Sequence, residues 1–160
     1  MYMHTYIYRY VAQHLLFEQC PHLLHGIGSR FLEMAHDTNP LHTRQRGRVW
    51  IGPAGTVTPL HFDFHENVLC QLIGAKLVLL CEGGIGEGDR EALYPCEGVA
   101  NASRVDAENP DLGAFPLFEG VVRRVCVLSA GQALFIPKGV WHYARSLSPS
   151  ASVSFWFNNQ

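Results

Sequence analysis

Three residues carry the donor types and spacing of a metal site. The segment Thr58-Pro59-Leu60-His61-Phe62-Asp63 sets an imidazole and a carboxylate two residues apart. On a β-strand, residues i and i+2 point to one face, so the spacing predicts that His61 and Asp63 converge. His142, in Val140-Trp141-His142-Tyr143, supplies a third ligand if a rolled-up sheet brings a late strand across. Two His and one carboxylate on one face of an octahedron leave the opposite face open, the donor set of non-haem Fe(II) oxygenases. A plainer reading competes. A His-x-Asp pair is common, and a lone His among aromatics is more often a hydrogen-bonded core or surface residue. Spacing alone leaves both open.

Lys76 raises a similar question. It opens the apolar run Leu77-Val78-Leu79-Leu80. Inside a core its ammonium would be costly without an anionic partner. The alternative is that it follows a turn and points to water.

The elements that would position these residues are short and β-rich. From Arg48 onward, runs separated by Gly and Pro predict strands near 48–52, 56–62, 67–73, 76–81, 123–128, 132–136, 140–147 and 151–157. Gly74-Ala75 reads as a short hairpin connection, and Pro137-Lys138-Gly139 as another turn. Upstream, Val11, Leu15 and Leu16 fall on one helical stripe, predicting a helix from Tyr8 to Leu24 stopped by Pro21. Residues 25–47 have no clear period. A polar, Gly-rich insertion from Glu82 to Gly120 is long enough to be functional or partly disordered. Eight strands with one insertion fit a mainly β fold, either a double-stranded β-helix of the jelly-roll, cupin-like type or a sandwich.

Composition excludes several classes. With 160 residues and 16% charged side chains the chain is one domain with enough apolar material for a core. A net charge of −2 supplies no protein-wide basic field for nucleic acid or an anionic membrane. Arg44, Arg46, Arg48 and the pair Arg123-Arg124 read as solvated strand flanks. The longest apolar run, Val68 to Cys81, is interrupted by Gln71, Gly74 and Lys76, so it is no membrane helix. The amino terminus lacks the pattern of a signal peptide. Five Cys without a Cys-x-x-Cys pair argue against a disulfide framework and a thiolate zinc site. The expectation is an intracellular protein, cytoplasmic or nuclear.

Taken together, the spaced motifs resemble JmjC-domain oxygenases. They are Trp50 through Asp63, then Asn67, then Gly74-Ala75-Lys76, then Phe135-Ile136-Pro137, Trp141-His142-Tyr143 and Ser152 through Trp156. Tyr10-Val11-Ala12-Gln13-His14 and Asn109-Pro110-Asp111-Leu112 fit a hydroxylase subgroup of that family. The resemblance implies an Fe(II)- and 2-oxoglutarate-dependent dioxygenase that consumes O2 and acts on a protein or peptide. Hydroxylation of a side chain, arginine in that subgroup, is the implied reaction. N-methyl lysine or arginine demethylation by the same oxidant is the alternative, and a non-catalytic metal-binding cupin-type module is a third.

The resemblance also implies roles. His61, Asp63 and His142 match iron ligands. Lys76 matches the partner of the distal carboxylate of 2-oxoglutarate, and Tyr10, Thr58 and Asn67 match other co-substrate contacts. Trp50 and Trp156 either wall the pocket or belong to the core. His65 continues the i, i+2 series, but the subgroup uses no ligand there, and His4, His14, His22, His25, His36 and His42 have no ligand spacing. The implied organisation is a single JmjC-like domain over 1–160. Residues 1–47 form a support truncated relative to the family, and 48–158 form the β-helix core with an insertion at 82–122. An arginine substrate would call for acidic or aromatic residues at the mouth, with Glu66, Glu82, Glu87 and Asp89 as candidates.

Overall fold

The structure, a computed structural model, describes residues 10–26, 47–82 and 91–157. Tyr8, Glu87, Asp89, Arg44 and Arg46 lie outside the described residues, as do His4, His36 and His42. Eight strands match the predicted runs: β2 (Arg48–Gly52), β3 (Val57–His61), β4 (Glu66–Ile73), β5 (Ala75–Cys81), β8 (Arg123–Ser129), β9 (Ala133–Ile136), β10 (Trp141–Ser146) and β11 (Ser150–Phe157). The described residues form three more: β1 (Val11–His14), β6 (Pro95–Cys96) and β7 (Val99–Ser103).

Two antiparallel sheets result. One has the order β1-β2-β11-β4-β9 and the other β6-β7-β3-β10-β5-β8. From β2 to β5, and again from β8 to β11, each strand lies in the opposite sheet to the one before it. This alternation is the jelly-roll, cupin-like architecture that the sequence predicts.

The alternation corrects the reading of Gly74-Ala75 as a hairpin. β4 and β5 do not pair with each other; β4 pairs with β9 and β11, β5 with β8 and β10. Gly74 is the corner at which the chain leaves one sheet for the other, with φ of +73°. A Cβ there would lie 2.2 Å from the Pro149 carbonyl oxygen. Pro137-Lys138-Gly139 is a turn as expected, and it too crosses between sheets.

The predicted helix over 8–24 is also corrected. Residues Val11–His14 form β1, paired with β2, and among the described residues of that span helix survives as Leu16–Gln19 followed by a 3-10 turn over Pro21–Gly26. Pro21 does mark the end of the α-helical turn. A backbone partner on the open edge of β2 outweighs a weak helical stripe, none of whose members is buried, whereas Phe17 beside it is.

The insertion is ordered over its described part. The β6–β7 pair extends one sheet beyond β3, and a 3-10 turn spans Pro116–Gly120. Leu93, Val105 and Phe118 of this segment pack with Leu60, Leu79 and Trp141 into the largest buried cluster, on the outer face of that sheet. A second cluster, Leu69, Val78, Leu128 and Ile136, sits between the sheets.

Gly74→Ala should therefore be destabilising. The left-handed backbone alone costs about 1–3 kcal/mol for a non-Gly residue, and the contact with Pro149 adds to it. Urea unfolding of the variant against wild type measures the loss; equal midpoints would show that the corner accepts a side chain.

Candidate metal centre

β3 pairs with β10 so that His61 stands directly opposite His142. Two positions on, Ala144 pairs with Thr58 rather than Pro59, so β3 carries one extra residue. This bulge sits at Pro59-Leu60, where a proline costs no ladder hydrogen bond. Its effect is to turn both Thr58 and His61 toward the space between the sheets, while Leu60 is fully buried on the outer side.

Asp63 does not share the strand with His61. β3 ends at His61, and Asp63 lies in the turn before β4. It nevertheless reaches the same point. His61 Nε2 is 3.8 Å from Asp63 Oδ1, and His142 Nε2 is 3.7 Å from Asp63 Oδ2. Ligating atoms of the three residues lie within 4.8 Å of one another. His65, partly buried, is not in that group.

The proton placement suits a cation. His61 Nδ1 is 2.8 Å from the Pro59 carbonyl oxygen, and His142 Nδ1 is 2.9 Å from that of Val140. A carbonyl only accepts, so each Nδ1 carries the hydrogen and each Nε2 presents a lone pair. Burial, helped by the neighbouring His61, pushes the His142 imidazole below its usual range and so favours the neutral form that a cation needs. Two neutral imidazoles and a carboxylate fit a first-row divalent metal.

The carboxylate is itself held. Asn67 Nδ2 donates to Asp63 Oδ2 at 3.0 Å, and Trp156 Nε1 donates to the same oxygen at 2.9 Å. Sequence reading assigned Trp156 no contact with Asp63. The signal was present, since Ser152, Ser154 and Trp156 alternate along one strand face. Asn67 thus uses its amide nitrogen on Asp63, while its buried Oδ1 has no partner among the described residues.

Lys76 is buried, at 4% exposure, and lines the same pocket as His61, Asp63 and His142. Its Nζ donates to Ser152 Oγ at 2.6 Å, and no described carboxylate pairs with it. Burial pulls its pKa down to about 8. The solvent-facing alternative is thereby excluded.

Thr58 lines this pocket too, and its hydroxyl is 3.0 Å from the Tyr10 hydroxyl. Trp50 is buried and donates from Nε1 to Ser154 Oγ at 3.1 Å, while its ring lies 6.1 Å from that of Tyr10. Beside His61 these two rings, with Gln13, Val57 and Ala102, wall a second cavity of about 400 Å³. Two acidic candidates for the mouth have other partners: Glu66 accepts from the Lys138 backbone N–H, and Glu82 pairs with Arg124. Among the described residues, no helix is long and apolar enough to cross a membrane.

Comparison with known proteins agrees with this geometry. Residues 2–160 match the family described as the cupin-like domain. The chain is 41% identical over 155 residues to "Lysine-specific demethylase 8" of Xenopus tropicalis, covering 93% of this chain and 33% of that protein. It is 38% identical over 151 residues to "Jumonji C domain-containing protein 5" of Drosophila melanogaster, covering 92% and 36%. With "JmjC domain-containing protein F" of Dictyostelium discoideum it shares 37% over 166 residues, covering 92% and 35%. The chain spans about a third of the length of these relatives. The chain belongs to the cupin-like domain family, and the JmjC resemblance read from its motifs extends across most of its length.

Proposed function

We propose that this chain is the catalytic domain of an Fe(II)- and 2-oxoglutarate-dependent dioxygenase that hydroxylates a protein side chain, with arginine as the substrate implied by the resemblance. The observation that carries the proposal is Lys76, a buried ammonium with which no described carboxylate pairs, in the pocket that also holds His61, Asp63 and His142. A metal cage alone has no use for it. A dicarboxylate that reaches the metal at one end and Lys76 at the other has.

His61, Asp63 and His142 would hold the iron, and with 2-oxoglutarate and O2 it would supply an oxidant strong enough to break a C–H bond. The remaining roles belong to the chain. Lys76, with Ser152 beside it, would neutralise the distal carboxylate. The Tyr10 and Thr58 hydroxyls and the Asn67 amide would complete the polar contacts. The cavity beside His61 would admit the substrate side chain, and the rings of Tyr10 and Trp50 offer faces to a planar cation such as a guanidinium.

His142→Ala should lose Fe(II) or Co(II) binding while keeping its fold, because none of the apolar clusters includes His142. Metal titration with circular dichroism checks both; full metal affinity in that variant would refute the ligand set.

Lys76 makes a pH-dependent claim. Its pKa lies below the ordinary value, so the burial penalty is present in full below about 8 and is relieved as pH rises toward 10.5. An anion binds the protonated form. Affinity for 2-oxoglutarate should therefore fall by about tenfold per pH unit once pH exceeds the Lys76 pKa. Lys76→Ala should lose affinity by about 3–5 kcal/mol at pH 7 with metal still bound. Calorimetric titration across pH reads both, and an affinity indifferent to Lys76 would place the dicarboxylate elsewhere.

Hydroxylation and demethylation leave different products. Oxygen inserted at a carbon not bonded to nitrogen stays on the peptide as a stable alcohol. Insertion into an N-methyl group gives a hemiaminal that releases formaldehyde. With Fe(II), 2-oxoglutarate and matched arginine peptides, mass spectrometry should find one added oxygen on the unmodified peptide. Formaldehyde from methylated peptides alone would select the demethylase reading, and no turnover with any peptide would favour the metal-binding module.

A further inference from the structure

The position of Asp63 poses a mechanical problem. His61 and His142 are fixed by the ladder between β3 and β10. Asp63 lies beyond the end of β3, so no ladder fixes its side chain. The Gly139 backbone N–H donates to the Asp63 carbonyl, which anchors the main chain but leaves the carboxylate free to rotate.

The two groups that hold the carboxylate are not independent. Trp156 on β11 and Asn67 on β4 are directly opposed cross-strand partners. Both donate to Oδ2, and the shorter of the two bonds comes from the indole. A carboxylate oxygen has two in-plane lone pairs, so two N–H donors occupy Oδ2 and leave Oδ1 for a metal. The two donors differ in kind. An amide can rotate and offer its oxygen instead, whereas the indole is a donor only. The Asp63 carboxylate itself holds Asn67 in its donating orientation, since an amide turned the other way would set oxygen against oxygen, and the Trp156 indole is the partner that cannot turn acceptor.

We propose that Trp156 is a positioning residue for the metal centre. Its indole N–H, paired with the amide of Asn67, clamps Asp63 so that it binds metal through Oδ1 alone. Monodentate binding keeps a coordination position open that a bidentate carboxylate would fill. This role rests on the metal reading above, and it concerns the sheet opposite to the one that carries the two imidazoles.

Trp156→Phe keeps a ring and removes the donor. Loaded with Co(II), the variant should bind metal about 10- to 100-fold more weakly than wild type, the range for lost outer-shell partners. Its visible absorption should change as the carboxylate becomes bidentate. Because both donors act through one oxygen, Asn67→Ala should change the Co(II) absorption in the same sense as Trp156→Phe, which mere packing would not produce. If the variants fail to fold, the wild-type protein still decides. Its Trp156 indole N–H resonance should shift on Zn(II) addition, and an unmoved resonance overturns the clamp. Wild-type Co(II) uptake with unchanged affinity and spectrum in Trp156→Phe overturns the role of Trp156 alone. A wild-type chain that takes up no Co(II) overturns the metal site and this role with it.

Discussion

The register of β10 between its two neighbours is the constraint on which the rest depends. On one side His142 faces His61 of β3; on the other Ser146 faces Lys76 of β5. One strand therefore brings together the two imidazoles and aligns them with the buried ammonium. Because side chains alternate, a slip of one residue would send His142 to the outer face and Trp141 or Tyr143 inward. Trp141 and Tyr143 resist that slip, since both are buried in the cluster covered by the insertion. The apolar packing outside the sheet is thus what holds the polar pocket inside it.

This inverts the usual layout of a small sandwich. The space between the sheets holds Lys76, His142, Asn67 and Ser154 beside Leu69 and Ile136. Burying such groups opposes folding unless each finds a partner. Several do: Ser152 accepts from Lys76, Ser154 from Trp50, and Ser150 from Gln71. These three serines alternate along β11 and form a row of small hydroxyls facing three larger donors. Lys76 is the member for which a hydroxyl is too little, because a neutral oxygen does not balance a buried charge. Stability given up inside the barrel is made up by the clusters on the outer faces, where Phe17, Val49, Val153 and Phe155 cover the second sheet as the insertion covers the first.

What the sequence made legible follows from which signals are local. Strand positions were readable because alternation and Gly or Pro punctuation are properties of five to eight residues. His61 and His142 were readable as types, although their meeting depends on a pairing across 81 positions that no local pattern encodes. Gly74 was misread because a hairpin and a crossing between sheets use the same left-handed residue; only the partners of β4 and β5 tell them apart. Asp63 reached the expected place by an unexpected route. The i, i+2 rule assumed a strand that continues, whereas the strand stops and a turn delivers the carboxylate. β1 was missed because four residues gain their structure from the edge of β2, which a helical stripe count cannot see.

The insertion shows how a segment remote from the chemistry enters it. Glu108 accepts from the Tyr143 hydroxyl at 2.6 Å, and Arg145 engages both of its oxygens, at 2.6 and 2.9 Å. The Arg145 guanidinium holds the Glu108 carboxyl below its usual range. Tyr143 and Arg145 flank Ala144 on β10 and face away from the pocket, one and three residues beyond His142. A bidentate ion pair fixes angle as well as distance, so the insertion grips β10 on the side opposite to its ligand. A loop that only covered the sheet would need apolar contacts alone. One that also binds two alternate residues of the ligand-bearing strand restrains that strand in both register and tilt. The geometry of the pocket around Lys76 is therefore set from outside the barrel, by a segment whose described residues do not line it.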